Sequence, residues 1–164
     1  RQSDGGSVPA SIRTFNWGAI GEVTNKDAAA NFEKAFADRT LDSVDLPALD
    51  GRDYATPVFK TAEDGLRYFG WWLAYRGNPT TIAELGDEYY PNNEMDRDDW
   101  VTGVSQLASM DADDDITSDN LNAVAFGVFS QEAGPGAFTA TKLSTSVDMA
   151  KFIMEGSQMY HDNK

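Results

Sequence analysis

Between Ala62 and Arg76 the sequence places apolar or aromatic side chains around nearly the whole circumference of a predicted helix. Such a helix is stable in water only when other elements cover it on every side. Thr61 and Asp64 predict its start, because a threonine cap and an acid three residues later satisfy free amides. The Gly-Asn-Pro run at residues 77–79 predicts its end. We therefore expect this helix to lie at the centre of the fold, surrounded through Leu66, Tyr68, Phe69, Trp71, Trp72, Leu73 and Tyr75.

Five other segments combine helix-start signals with apolar residues at helical spacing. These segments are residues 25–41, 82–89, 97–110, 118–131 and 146–160. Residues 42–57, which contain two prolines, are expected to be irregular, and Gly134-Pro135-Gly136 is expected to be a turn. The pattern leaves room for minor extended segments near the N-terminus, at Phe15–Val23. It predicts an all-α fold, a compact bundle of about six helices.

The length of 164 residues favours a single helical domain over residues 1–164, with a short flexible tail at residues 1–11. No stretch approaches 18 consecutive apolar residues, so no transmembrane segment is predicted. Arg1 rather than Met opens the sequence. That start is compatible with the removal of an export or organelle-targeting segment, and it leaves the compartment undetermined.

Cysteine is absent and His161 is the only histidine. Disulfides and thiolate nucleophiles are therefore excluded, and zinc, haem and di-iron sites lose most of their usual ligands. A pair of carboxylates could still form an active site of the kind that hydrolyses glycosides, but linear sequence selects no such pair.

Negative charge is concentrated in one part of the chain. The formal net charge is −14, and residues 87–119 hold eleven acidic residues against the single base Arg97, a net charge of −10. Nucleic acids and anionic membrane surfaces are excluded as partners by this balance, because both require a cationic face. A basic protein surface is the partner that such a patch favours.

Asp111, Asp113 and Asp115 stand at alternate positions between two predicted helices. This opening run, followed by Ile-Thr-Ser-Asp at residues 116–119, resembles the calcium loop of an EF-hand. The segment departs from that pattern, since no glycine follows Asp115, the loop is two residues short, and Asn120 or Asn122 replaces the closing glutamate. The resemblance implies a bound Ca²⁺, with Asp111, Asp113, Asp115 and Asp119 as its ligands.

Helix capping accounts for some of the acidic residues without any ligand. Asp96, Asp98 and Asp99 lie where carboxylates stabilise the start of a helix, by about 0.3–1 kcal/mol each. Asp111 and Asp113 follow the end of a helix, where negative charge is unfavourable unless a cation or a basic partner is near. Calcium, a basic protein and plain solvation all remain open for residues 111–119.

Partner contacts are expected along the rest of the acidic segment. Tyr89 and Tyr90 precede Pro91 and are expected to be exposed, and tyrosine is favoured at interfaces. The aromatic residues near 69–75 are interpreted as core, with a sugar-stacking or pigment-facing surface as the alternative. The expected partner-binding residues are Asp87, Glu88, Tyr89, Tyr90, Glu94 and Asp114.

Together these features predict a non-catalytic acidic interaction module. We expect an accessory or extrinsic subunit that docks through residues 87–119 onto a basic surface of a larger assembly. A calcium-binding helical protein using residues 111–119 is one alternative. An enzyme with an unrecognised carboxylate site is the other.

Overall fold

The computed structural model describes residues 10–21, 23–47, 53–141, 143 and 148–164. These residues form eight helices and two strands. The elements are α1 (Ala10–Arg13), α2 (Lys26–Phe36), β1 (Thr40–Pro47), β2 (Asp53–Phe59), α3 (Ala62–Tyr75), α4 (Ile82–Tyr89), α5 (Glu94–Ala108), α6 (Leu121–Ala133), α7 (Pro135–Thr139) and α8 (Met149–Asp162).

Helix α3 lies at the centre, as its composition predicts. Its side chains at Leu66, Tyr68, Phe69 and Trp71 are at most 1% exposed. Other helices and the short sheet pack around it, and the Phe36 and Phe59 rings meet the Tyr68 ring at centroid distances of 5.8 and 5.0 Å. The predicted compact all-α bundle is confirmed, and the aromatic run forms its core.

Helices α3 and α8 pack backbone against backbone. A Cβ atom on Gly70 would overlap the carbonyl group of Ile153, and a Cβ atom on Gly156 would overlap the carbonyl group of Arg67. The crossing is therefore closest at two glycines, one from each helix. Small residues at a crossing allow this approach because no side chain separates the two main chains.

Two polar networks fix neighbouring elements around α3. The Trp71 indole donates to the Asn31 side chain at 2.8 Å, and the Asn31 amide donates to the Tyr160 carbonyl at 2.9 Å. The buried Asp64 carboxylate accepts hydrogen bonds from the guanidinium groups of Arg39 and Arg67 at 2.8 and 2.7 Å. Because each network joins separate elements, it orients α2, α3 and α8 more specifically than apolar packing alone.

A β-hairpin occupies the region expected to be irregular. Strand β1 pairs antiparallel with β2, from Thr40 opposite Phe59 to Pro47 opposite Asp53. The sheet has two strands within the described residues, so each strand has an outer edge where a proline without an amide hydrogen is tolerated. The prediction of irregular structure at residues 42–57 is therefore wrong for the two paired strands.

Several helix ends differ from their predicted positions. Helix α2 stops at Phe36 instead of residue 41, because Thr40 already pairs with Phe59 in the hairpin. Helix α5 begins earlier than residue 97, because the Asn93 side chain caps it by accepting from the Asp96 amide at 3.0 Å. Helix α3 begins at the predicted Thr61 cap, and helix α4 begins after Thr81, whose side chain accepts from the Glu84 amide.

The N-terminal region also differs in detail. Ala10–Arg13 is helical and Ser11 is buried, so the predicted tail at residues 1–11 does not include its last two residues, while residues 1–9 lie outside the described part. Residues 15–21 form turns and loops instead of an extended segment. Helix α7 replaces the turn expected at residues 134–136. Among the described residues, no helix combines the length and apolar character needed to cross a lipid bilayer.

Candidate interaction surface

The acidic segment, residues 87–119, runs from the end of α4 through α5 to the connection before α6. Helix α5 packs between α4 and α6 and buries Trp100, Val104 and Ala108. The acidic side chains lie away from this buried face, and those at residues 87, 94, 96, 98 and 99 are exposed. Packing of α5 thus leaves these acidic side chains in contact with solvent.

Two arginines of the same chain lie close to four of the acidic residues in the first part of this segment. Arg97 lies 3.3 Å from Asp87, 3.7 Å from Asp98 and 4.0 Å from Glu94. Glu88 pairs with Arg76 at the end of α3. Exposed ion pairs add little stability, about 0–1 kcal/mol each, but they lower the local negative potential. Three of the expected partner-binding acids therefore already have a basic neighbour.

Tyr89 is a packing residue, contrary to its predicted exposure. Its hydroxyl donates to the Gly18 carbonyl at 2.7 Å, and its ring stacks on Trp100 with a centroid distance of 4.5 Å. Burial raises the pKa of Tyr89 well above its ordinary value, and the Glu132 carboxylate adds to the effect. Tyr90 is also half-buried against the core, so neither tyrosine is freely exposed.

The acidic loop, residues 111–119, has a fixed backbone. Helix α5 ends at Ala108, and the C-cap residue Ser109 has the left-handed conformation (φ 55°), which turns the chain toward the loop. The Asp114 carboxylate accepts from the Asp111 amide at 3.1 Å, while the Asp114 amide donates to the Asp111 carbonyl at 3.1 Å. Asp114 therefore closes a tight turn, which is a structural use of a residue predicted to contact a partner.

Two backbone hydrogen bonds attach this loop to the start of α4. The Ile116 amide donates to the Thr80 carbonyl at 2.8 Å. In return, the Ala83 amide, one of the free donors at the start of α4, donates to the Ala112 carbonyl at 3.0 Å. The loop is thus held from both sides, and its charges keep fixed positions relative to the bundle.

The other four carboxylates of the loop face solvent. Asp111, Asp113, Asp115 and Asp119 are all exposed, and none forms an ion pair within the described part of the chain. In the same residues, no group of three or more acidic or histidine side chains is arranged to hold a metal ion. Calcium binding stays a prediction that rests on the sequence pattern.

An apolar groove of about 260 Å³ adjoins the acidic loop. Residues 116–118 of the loop form one of its walls, and no charged residue lines it. Met154, which also lines it, is 48% exposed. The large apolar side chains that line the groove are those of Leu73, Pro79, Ile116, Leu121, Ile153 and Met154.

A second cleft, of about 270 Å³, is lined by residues 20, 21, 23 and 24 together with residues of α3 and α4. Trp72 and Tyr75 line it, and the Arg76–Glu88 ion pair stands at the same cleft. Neither of these two clefts is lined by two carboxylates. The enzyme alternative therefore stays a prediction, without a carboxylate pair in either of these clefts.

Sequence reasoning located the acidic loop but missed the groove beside it. Three segments far apart in the chain build the groove, so no linear motif indicates it. One signal was present: Met154 lies off the buried stripe of α8, which consists of Met149, Ala150, Ile153 and Gly156. No known protein family matches the chain, and no curated protein shows significant similarity to it.

Proposed function

We propose that this protein is a non-catalytic acidic interaction domain, an accessory subunit that docks onto a basic surface of a larger assembly. The observation that supports this proposal is the acidic loop, a rigid connection that carries four exposed carboxylates without a basic partner in the described residues. A basic surface would relieve the repulsion among these charges. It would also be attracted over about 8 Å, the screening length at physiological salt.

Ion pairs within the chain reduce the number of acidic residues that are available for docking. Asp87, Glu88 and Glu94 are near arginines, so a partner would have to compete with charges already present. The carboxylates of Asp111, Asp113, Asp115 and Asp119 have no such competitor in the described chain. We therefore assign the main electrostatic contact to the acidic loop and a weaker contribution to the acids of α4 and α5.

Rigidity supports the same assignment. A flexible acidic loop would lose conformational freedom on binding, and that loss would reduce its affinity. Here the turn at Asp114 and the hydrogen bonds to Thr80 and Ala83 fix the loop before any partner arrives. Pre-organised charges favour fast and salt-sensitive association.

The test measures binding of a fluorescent lysine-rich peptide to the full chain by anisotropy at several salt concentrations. The loop variant combines Asp111→Asn, Asp113→Asn and Asp115→Asn, and leaves Asp114 in place to preserve the turn. We expect about tenfold weaker binding, because three exposed charge contacts contribute about 0.2–1 kcal/mol each. Wild-type affinity should also fall steeply between low and high salt.

A matched control removes the same charge elsewhere. Glu33→Gln, Asp38→Asn and Asp162→Asn neutralise three exposed acids outside the acidic segment. We expect this variant to bind nearly as well as the wild type. Equal weakening by both variants, or binding that is insensitive to salt, would contradict the proposed docking surface.

A further inference from the structure

The apolar groove exposes hydrophobic surface next to the acidic loop. Met154 is one of three large hydrophobic side chains that are exposed among the described residues. Its flexible thioether side chain lines the groove and is 48% exposed, whereas Leu121 and Ile153, which also line it, are less than 10% exposed. Methionine adapts its shape to different apolar partners, so the groove can fit side chains of several shapes.

The surroundings of the groove determine which partner fits it. Ile116 and Ser118 line the groove, Asp115 directly precedes Ile116, and Asp119 directly follows Ser118. One wall of the groove and two of the unpaired carboxylates, those of Asp115 and Asp119, therefore belong to one continuous stretch of chain. A ligand in the groove would meet negative charge at its border, which favours a basic segment and disfavours an acidic one.

The size of the groove and the charge of the chain argue against two other occupants. At about 260 Å³ it is smaller than most pockets for drug-sized ligands, which begin at about 300 Å³, but it is adequate for one or two side chains. A second copy of the chain would bring a net charge of −14 toward the acidic loop, and repulsion would oppose that contact.

We propose that the groove receives a large aliphatic side chain from a basic polypeptide segment, whose lysines or arginines bind the acidic loop at the same time. This inference rests on the proposed function and adds a second recognition element to it. The charges would bring the partner to the surface and orient it. The apolar anchor would select, among basic segments, those that carry an aliphatic residue between their charges.

The test compares two peptides of equal charge. One is lysine-rich with a central leucine, and the other has serine at that position. We expect the leucine peptide to bind wild type about tenfold more tightly, because burial of one aliphatic side chain is favourable. Two groove variants keep the charge: Met154→Gln makes the exposed apolar residue polar, and Ser157→Phe fills the groove from α8.

Each groove variant should bring the affinity ratio of the two peptides close to one, without changing the affinity of the serine peptide. Circular dichroism verifies that the helices are intact. A ratio near one in wild type, or a ratio that neither variant alters, would overturn the groove proposal and leave the salt-dependent binding intact. Peptide binding that does not depend on salt and is not weakened by the triple variant of the acidic loop would instead overturn the proposed function.

A second copy of the chain is tested separately. Analytical ultracentrifugation of the protein alone should show a monomer at low salt and at high salt. A dimer that Met154→Gln dissociates would assign the groove to self-association and would contradict a basic partner.

Discussion

Two tyrosine hydroxyls hold the loop at residues 16–21 against the helical core. Tyr68 donates to the Gly21 carbonyl at 3.1 Å, and Tyr89 donates to the Gly18 carbonyl at 2.7 Å. Both carbonyls belong to a segment of turns and loops. A buried hydroxyl that donates to such a carbonyl satisfies both groups and fixes the loop.

These tyrosines should make the protein sensitive to alkaline pH. Burial raises the pKa of Tyr68 and of Tyr89 in the folded state, whereas both ionise near pH 10 when the chain unfolds. Their contribution is fully present below pH 10 and is lost as the pH rises toward the folded-state pKa values. We expect the free energy of unfolding to fall by about 1.4 kcal/mol per pH unit for each tyrosine above pH 10.

Urea denaturation at pH 8 to 11 measures this effect. Tyr89→Phe should cost about 1 kcal/mol at pH 8, through the lost hydrogen bond to Gly18, and should lower the alkaline slope by about half. The double variant with Tyr68→Phe should lose most of the slope. An unchanged slope in the double variant would show that other groups, such as lysines, control alkaline unfolding.

At the scale of whole elements, the contact between α3 and α8 depends on two glycines, Gly70 and Gly156. In an exposed helix, Gly→Ala stabilises by about 1 kcal/mol because alanine restricts the unfolded chain and favours the helix. At Gly70 and Gly156, however, the new methyl group would overlap a carbonyl of the opposite helix. The two helices would have to separate, which would strain the hydrogen bonds from Trp71 through Asn31 to Tyr160 and the ion pair of Arg67 with Glu155 on α8, at 3.0 Å.

We expect Gly70→Ala and Gly156→Ala each to lower the free energy of unfolding by about 2–3 kcal/mol, measured by urea denaturation. Gly103→Ala on α5 is the matched control. A Cβ atom there would meet only the end of the flexible Gln131 side chain, which can move aside. The control should be neutral or slightly stabilising, and equal losses at all three glycines would contradict a tight α3–α8 crossing.

Helices could be predicted from the sequence better than their ends. Periodicity and threonine caps identified α3 and α4, because local hydrogen bonds determine those starts. Helix α6 begins later than predicted because the Asn120 side chain accepts from the Thr117 amide and donates to the Asp115 carbonyl, so it holds the acidic loop instead of extending the helix. The hairpin was missed because its pairing is non-local and its prolines resemble loop signals.

The candidate surface could also be predicted only in part, because local sequence determines its charge but not its tertiary contacts. Charge density is a property of linear sequence, so the acidic loop was visible at residues 111–119. The arginines that neutralise Asp87 and Glu88 were partly hidden, since Arg76 comes from a different helix. The groove was not visible, because Leu73, Ile116 and Met154 meet only in the folded chain.

At the scale of the whole molecule, a net charge of −14 on 164 residues produces self-repulsion that opposes the compact state. Part of this repulsion is between neighbours such as Asp113 and Asp115, and it acts in the unfolded chain as well. The remainder arises when folding brings α4, α5 and the acidic loop together. Only this second part affects stability.

Salt should therefore stabilise the protein. We expect the free energy of unfolding to rise by about 1 kcal/mol between 10 and 150 mM NaCl, where the screening length falls from about 30 to about 8 Å. If the divalent cations act only by screening the negative charge, CaCl₂ and MgCl₂ at equal concentration should raise the melting temperature equally. The EF-hand resemblance predicts instead an additional calcium effect, about 2.7 kcal/mol at one hundred times the dissociation constant. An increase specific to calcium that Asp113→Asn removes would favour an ion-binding loop over a surface that docks a basic partner.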